Sequence, residues 1–120
     1  MGKAITEEMI QVVYQYSKKV YHNEILLSVA MDQVNKQSGM NGGSALAYIH
    51  VFGKMMDGQE YRRTMNVAAY FLRMIREEYG EQQFYRAMDS VSKHVAYYNS
   101  LGNGALKGIE SLLNYYKPTK

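Results

Sequence analysis

The sequence predicts an all-α protein: a compact single-domain bundle of five to six helices over residues 1–120. Three observations predict it. Apolar residues recur at helical spacing in one segment after another, and no run alternates with period two over a useful length. Proline occurs once, at Pro118, so nothing interrupts helices along the body. Short breaks carrying Gly, Asn or Asp separate the periodic runs, as expected between antiparallel helical neighbours. A chain of 120 residues is one domain by size and can bury a real core.

The first helix is expected from about Ile5 to Tyr21. Met9, Val13, Tyr16 and Val20 form one stripe, Thr6 is the N-cap, and Glu7, Glu8, Lys18 and Lys19 complement the helix dipole at its two ends. His22-Asn23 reads as a break, with Asn23 capping a second helix whose apolar face is Leu26, Val29, Ala30 and Val34. Gly39 is its left-handed stop. A third helix starts at Gly43 or Ser44 with a core face of Ala45, Tyr48, Ile49, Phe52, Met55 and Met56. Gly53 inside it costs about 1 kcal/mol against alanine unless close packing compensates. Asp57-Gly58 marks a tight turn. The fourth segment has Tyr61, Met65, Ala68, Leu72, Ile75 and Tyr79 at helical spacing, with Arg62, Asn66, Arg73 and Arg76 opposite, and stops at Gly80. The fifth carries Phe84, Met88, Val91, Val95 and Tyr98. After Leu101-Gly102-Asn103-Gly104, a last helix has Leu106, Ile109, Leu113 and Tyr116 on one face.

Fourteen basic residues against eleven acidic ones leave a net charge of +3, which permits an anionic partner without demanding one. Cysteine is absent, which excludes disulfides and thiolate metal sites and fits a reducing compartment. The N-terminal residues carry no apolar signal core, and no run is apolar enough to span a membrane. The expectation is a soluble cytoplasmic protein with no membrane partner.

Catalytic constellations are absent from the pattern. His22, His50 and His94 are far apart and none belongs to a His-Glu-x-x-His pair. Glu7-Glu8 and Glu77-Glu78 are adjacent, so their members point to different helix faces. His50 and His94 read as packed, hydrogen-bonded histidines. The expectation is no catalytic residue, no metal and no cofactor: not an enzyme.

Binding chemistry is better represented. Ser38-Gly39-Met40-Asn41-Gly42-Gly43-Ser44-Ala45 is the densest glycine and small-polar cluster. It matches neither nucleotide fingerprint: no lysine follows the glycines, and a helix precedes them where a strand is required. Two readings stand. Amides of Asn41, Gly42, Gly43 and Ser44 hold an anion at a helix N-terminus, or the stretch is a turn in which Gly39, Gly42 or Gly43 takes positive φ and Ser44 caps. The second candidate is Tyr61-Arg62-Arg63-Thr64, where two arginines at the start of a helix oppose its dipole and so call for a negative partner. That partner is internal (Glu60, Asp57 or Glu77) or an external phosphate. Arg73 and Arg76 extend the same polar face. A guanidinium fork pairs with phosphate and stacks on rings. Tyrosines off the apolar stripes (Tyr14, Tyr21, Tyr70, Tyr85, and one each of Tyr97-Tyr98 and Tyr115-Tyr116) suit an interface or a base-stacking surface.

The order Ser38–Ala45, Tyr48-Ile49, Phe52, Tyr61-Arg62-Arg63-Thr64-Met65-Asn66, Tyr70-Phe71-Leu72, Tyr79-Gly80 and His94-Val95-Ala96-Tyr97-Tyr98 resembles a helical module found beside the HNH nuclease domain of modification-dependent restriction-type endonucleases. The resemblance covers roughly residues 38–98. The nuclease core itself, with its His-Asn-His set, is not among these residues, so the resemblance implies no cleavage and assigns no catalytic residue. It implies a DNA-associated accessory module of restriction or defence systems. Two other readings stand beside it: a homo-oligomeric phage counter-defence sponge that sequesters a nucleotide second messenger at a subunit seam, and a protein-interaction bundle using its methionines. The expected assembly is a homo-oligomer, and the expected ligand is a nucleic acid or nucleotide-type anion.

Overall fold

The computed structural model of the protein describes residues 5–62 and 67–101. The fold is all-α. Five helices run in the order α1 (Glu7–Tyr21), α2 (Leu27–Ser38), α3 (Gly42–Asp57), α4 (Ala68–Tyr79) and α5 (Glu81–Ser100), with no strand among the described residues. The expected last helix, with Leu106, Ile109, Leu113 and Tyr116, lies outside the described residues. Among the described residues no helix is long and apolar enough to cross a membrane. The chain divides into two compact units, Met1–Gly53 and Lys54–Lys120, with the division falling inside α3.

In the first unit α1 packs against α2. The Thr6 hydroxyl accepts the Met9 amide at 3.1 Å, so the expected cap forms; such a cap contributes about 1 kcal/mol. The buried face is Met9, Val13, Tyr14 and Ser17, while Tyr16 and Val20 are half-buried. The face is thus rotated from the expected stripe. Tyr14, expected off it, is fully buried and meets Phe52 edge-on at 5.4 Å.

Asn23 does not cap α2. It takes φ 61 and closes α1: its amide donates to the Val20 carbonyl and the Glu24 amide donates to that of Lys19. That bond pair around a left-handed residue is a helix stop, and asparagine tolerates it. The α2 helix therefore starts later, after Leu26, with no side-chain cap. Its inward stripe shrinks to Ala30 and Val34. Leu26, expected in the core, precedes the helix and is 72% exposed; Val29 is turned off the Ala30–Val34 stripe and is 44% exposed. Gly39 stops α2 at φ 82, as expected. The next residue, Met40, is buried, and its carbonyl accepts from Asn35 Nδ2 at 3.0 Å. In α3, Ala45, Tyr48, Ile49 and Phe52 are buried as expected, and Val51 joins them. A Cβ on Gly53 would meet nothing within 4 Å, so no close packing accounts for this glycine.

In the second unit Met55 and Met56 are buried and Gly58 stops α3 at φ 67. The Gly58 amide donates to the Met55 carbonyl and the Gln59 amide to that of Lys54. Gln59–Arg62 is not helical, and α4 begins only at Ala68. The expected helix does not start at Tyr61, because α5 side chains bond the carbonyls leading into this run and hold it on α5 in a non-helical path. Gln83 Nε2 donates to the Met56 carbonyl, Lys93 Nζ to that of Gly58 at 2.8 Å, Ser90 Oγ to that of Gln59 at 2.5 Å, and His94 Nδ1 to that of Tyr61 at 2.8 Å. Two steps of non-helical chain reach at most about 7 Å. Four steps of helix rise about 6 Å. Gln59 and Tyr61 can therefore each meet a residue one turn apart on α5.

The α4 helix buries Ala68, Phe71, Leu72 and Ile75 and packs against α5, which buries Phe84, Ala87, Met88, Ser90, Val91, His94 and Val95. Gly80 alone joins them at φ 92, ψ 177, a backbone conformation open essentially to glycine only.

Candidate anion-binding face

The glycine-rich stretch resolves toward the turn. Asn41, not Ser44, is the N-cap of α3. Its side-chain oxygen accepts the Ser44 amide at 2.8 Å, and its carbonyl accepts the Ala45 amide. Gly42 and Gly43 are helical, so of the three candidate glycines only Gly39 takes positive φ. The Ser44 amide, one of the four amides in the anion reading, is satisfied from within. A Cβ on Gly42 would sit 3.7 Å from Met31 Cε, and one on Gly43 would sit 3.5 Å from Asn41 Oδ1, both ordinary contacts. Replacing Gly42 and Gly43 together by alanine should therefore raise stability by about 0.5–1 kcal/mol, read by urea unfolding, with no loss of ligand affinity. A destabilised protein, or weaker anion binding, would return these amides to the site.

The second stretch separates into parts with different fates. Tyr61 was an expected ligand contact, but its ring is buried and stacks on His94 at 4.3 Å with an interplanar angle of 13°. Burial pushes the Tyr61 phenol above its ordinary range, so the ring stays neutral at physiological pH. Arg63 and Thr64 lie outside the described residues. Arg62 is exposed in the non-helical run, so the helix-dipole argument does not apply to it. Arg73 and Arg76 are exposed on α4, one turn apart. Asn41–Ser44 belong to the first unit, and Tyr61, Arg62, Arg73 and Arg76 to the second.

Arg62, Arg73 and Arg76 each have two partners of their own. The Arg62 guanidinium lies 4.7 Å from the Tyr97 ring centre, and its Nε binds Glu60 at 3.1 Å. Arg73 lies 5.2 Å over Tyr70 and pairs loosely with Glu77 at 3.9 Å. Arg76 lies 5.0 Å over Phe84 and binds Glu81 at 3.2 Å. The carboxylate pairs are solvent-exposed, a class contributing about 0–1 kcal/mol. At these distances each guanidinium is within range of a cation–π contact with its ring. Tyr70 and Tyr97 are half-buried, which fits their place among the tyrosines outside the apolar stripes. The Arg73–Tyr70 contact is legible as i, i+3 spacing. Arg62–Tyr97 joins distant segments and had no local signal, and Glu81 was missed because it opens the following helix.

The histidines divide. His94 is fully buried and bonded, as its packed reading expects, whereas His50 is exposed on the outer side of α3. Because a carbonyl only accepts, His94 Nδ1 carries the proton in that bond. Among the described residues, no group of three His, Cys, Asp or Glu is placed to hold a metal ion, and no buried side-chain nitrogen or oxygen lacks a partner. Compared with known protein families, curated proteins and solved structures, the chain matches none.

Proposed function

We propose that the protein is a non-enzymatic binding module for a nucleic-acid-type anion, engaged through Arg62, Arg73 and Arg76. The observation that carries the reading is the repeated arrangement on the second compact unit: an exposed guanidinium within 4.7–5.2 Å of an aromatic ring centre and paired with a solvent-exposed carboxylate. Such units offer fork donors to phosphate oxygens and planar surface to bases. The resemblance to the helical module beside HNH nucleases makes DNA the first ligand to try, in the setting of a restriction or defence accessory protein.

Binding through three arginines is salt-dependent, because each phosphate contact releases a counterion. Titrating labelled DNA by fluorescence anisotropy over a series of salt concentrations should give a log–log slope of about −2 to −3 for three contacts. Replacing the three arginines by glutamine should flatten that slope. An absence of binding to any DNA at low salt contradicts the reading, as does a slope the triple variant leaves unchanged.

A further inference from the structure

We infer that Arg62 and Tyr97 form a stacking platform for an unpaired base, so that the ligand is single-stranded nucleic acid rather than duplex. The inference rests on the proposed nucleic-acid reading and narrows it. Three observations carry it.

The first is position. The Arg62 guanidinium carbon lies 4.7 Å from the Tyr97 ring centre, and the side chain is 72% exposed, so the guanidinium over the ring is accessible to a ligand. A guanidinium plane stacked on tyrosine is a surface on which any base can lie. The second is the division of the guanidinium's donors. Glu60 engages Nε. Among the described residues, no other bond takes the two terminal nitrogens, which can reach a phosphate beside the stacked base. The third is preorganisation. Arg62 follows directly on Tyr61, whose ring is buried against His94 and whose carbonyl is bonded by it. The Gln59 and Gly58 carbonyls are likewise held by Ser90 and Lys93. The backbone carrying Arg62 is thus fixed before a ligand arrives, which lowers the ordering cost of binding.

A duplex cannot use this platform. Its bases are stacked on one another, and their faces open only when the strand is unpaired. The Arg73–Tyr70 pair repeats the arrangement on α4 and offers a second place of the same kind.

The test is fluorescence anisotropy of the whole chain with three labelled probes: a mixed-sequence DNA single strand, the same sequence as duplex, and a single strand of abasic residues. The single strand should bind about tenfold tighter than the abasic strand, the effect of one stacked base, and tighter than the duplex. Arg62→Lys keeps the charge and loses the plane, so it should remove most of the preference for the single strand. Tyr97→Ala removes the ring under Arg62 and should lose the preference. Circular dichroism melts establish that each variant is folded. Equal binding of abasic and base-bearing strands, or Arg62→Lys binding all probes as the parent does, overturns the platform. If Arg73→Gln and Arg76→Gln still weaken binding in that case, the nucleic-acid reading survives and only this inference fails. If no probe binds, both fail.

Discussion

Gly58→Ala lowers the stability of the protein by about 2–4 kcal/mol, the sum of left-handed backbone strain and overpacking. Two independent costs meet at this residue. Its φ of 67 lies where an L side chain is strained, and a Cβ there would stand 2.8 Å from Arg86 Cγ and 3.4 Å from the Arg86 carbonyl oxygen. Arg86 Cγ is close to the α5 backbone, so relief requires the arginine to change rotamer or the turn to lift off α5. Lifting the turn would stretch the Lys93 bond to the Gly58 carbonyl and the Ser90 bond to that of Gln59. Gly53→Ala is the matched control: it is helical with nothing within 4 Å of the added methyl, so alanine there should stabilise by about 1 kcal/mol. Urea unfolding of the two variants side by side checks the pair. Equal stabilities would mean that the Gly58 turn is not packed on α5.

The second large effect is at His94. His94→Ala should destabilise by about 3–4 kcal/mol, combining a cavity with an unpaired buried carbonyl. The ring is fully buried, stacks on Tyr61 and donates to its carbonyl. Asparagine places an amide N–H near the position of Nδ1, so His94→Asn restores the donor without the stacked ring. It should recover about 1–2 kcal/mol of the loss. If Asn and Ala variants unfold at the same urea concentration, the bond to Tyr61 contributes nothing and packing alone explains the residue.

The helices were legible because their signals are local. Thr6 caps its own helix, Gly39 and Gly58 stop theirs, and the α3 and α5 stripes are set by periodicity within one helix. Local signals failed where a distant partner decided the outcome. Tyr61 fits the α4 stripe by spacing, yet Gln59–Arg62 is not helical, and Ser90 and His94 bond its carbonyls from α5. Asn23 is a local ambiguity instead: in composition it is as good a helix start as a helix stop, and the bonds of its own amide to Val20 and of the Glu24 amide to Lys19 make it the stop. The candidate site divides the same way. Arg62, Arg73 and Arg76 stood out by type, and Glu60 and Glu77 were within reach by spacing. The ring under Arg62 comes from the far end of α5 and could not be read from the neighbourhood of residue 62.

The central claim is that the ring-backed arginines, and not the glycine-rich stretch, meet the ligand. Nuclear magnetic resonance of the 15N-labelled protein tests it most directly, following backbone amides and arginine Nε–H groups as single-stranded DNA is added. Saturable shifts are expected at the Nε–H of Arg62, Arg73 and Arg76 and at the amides of Arg62 and Tyr97, with Asn41–Ser44 unchanged. Shifts confined to Asn41, Gly42, Gly43 and Ser44, with the arginine side chains silent, would contradict it.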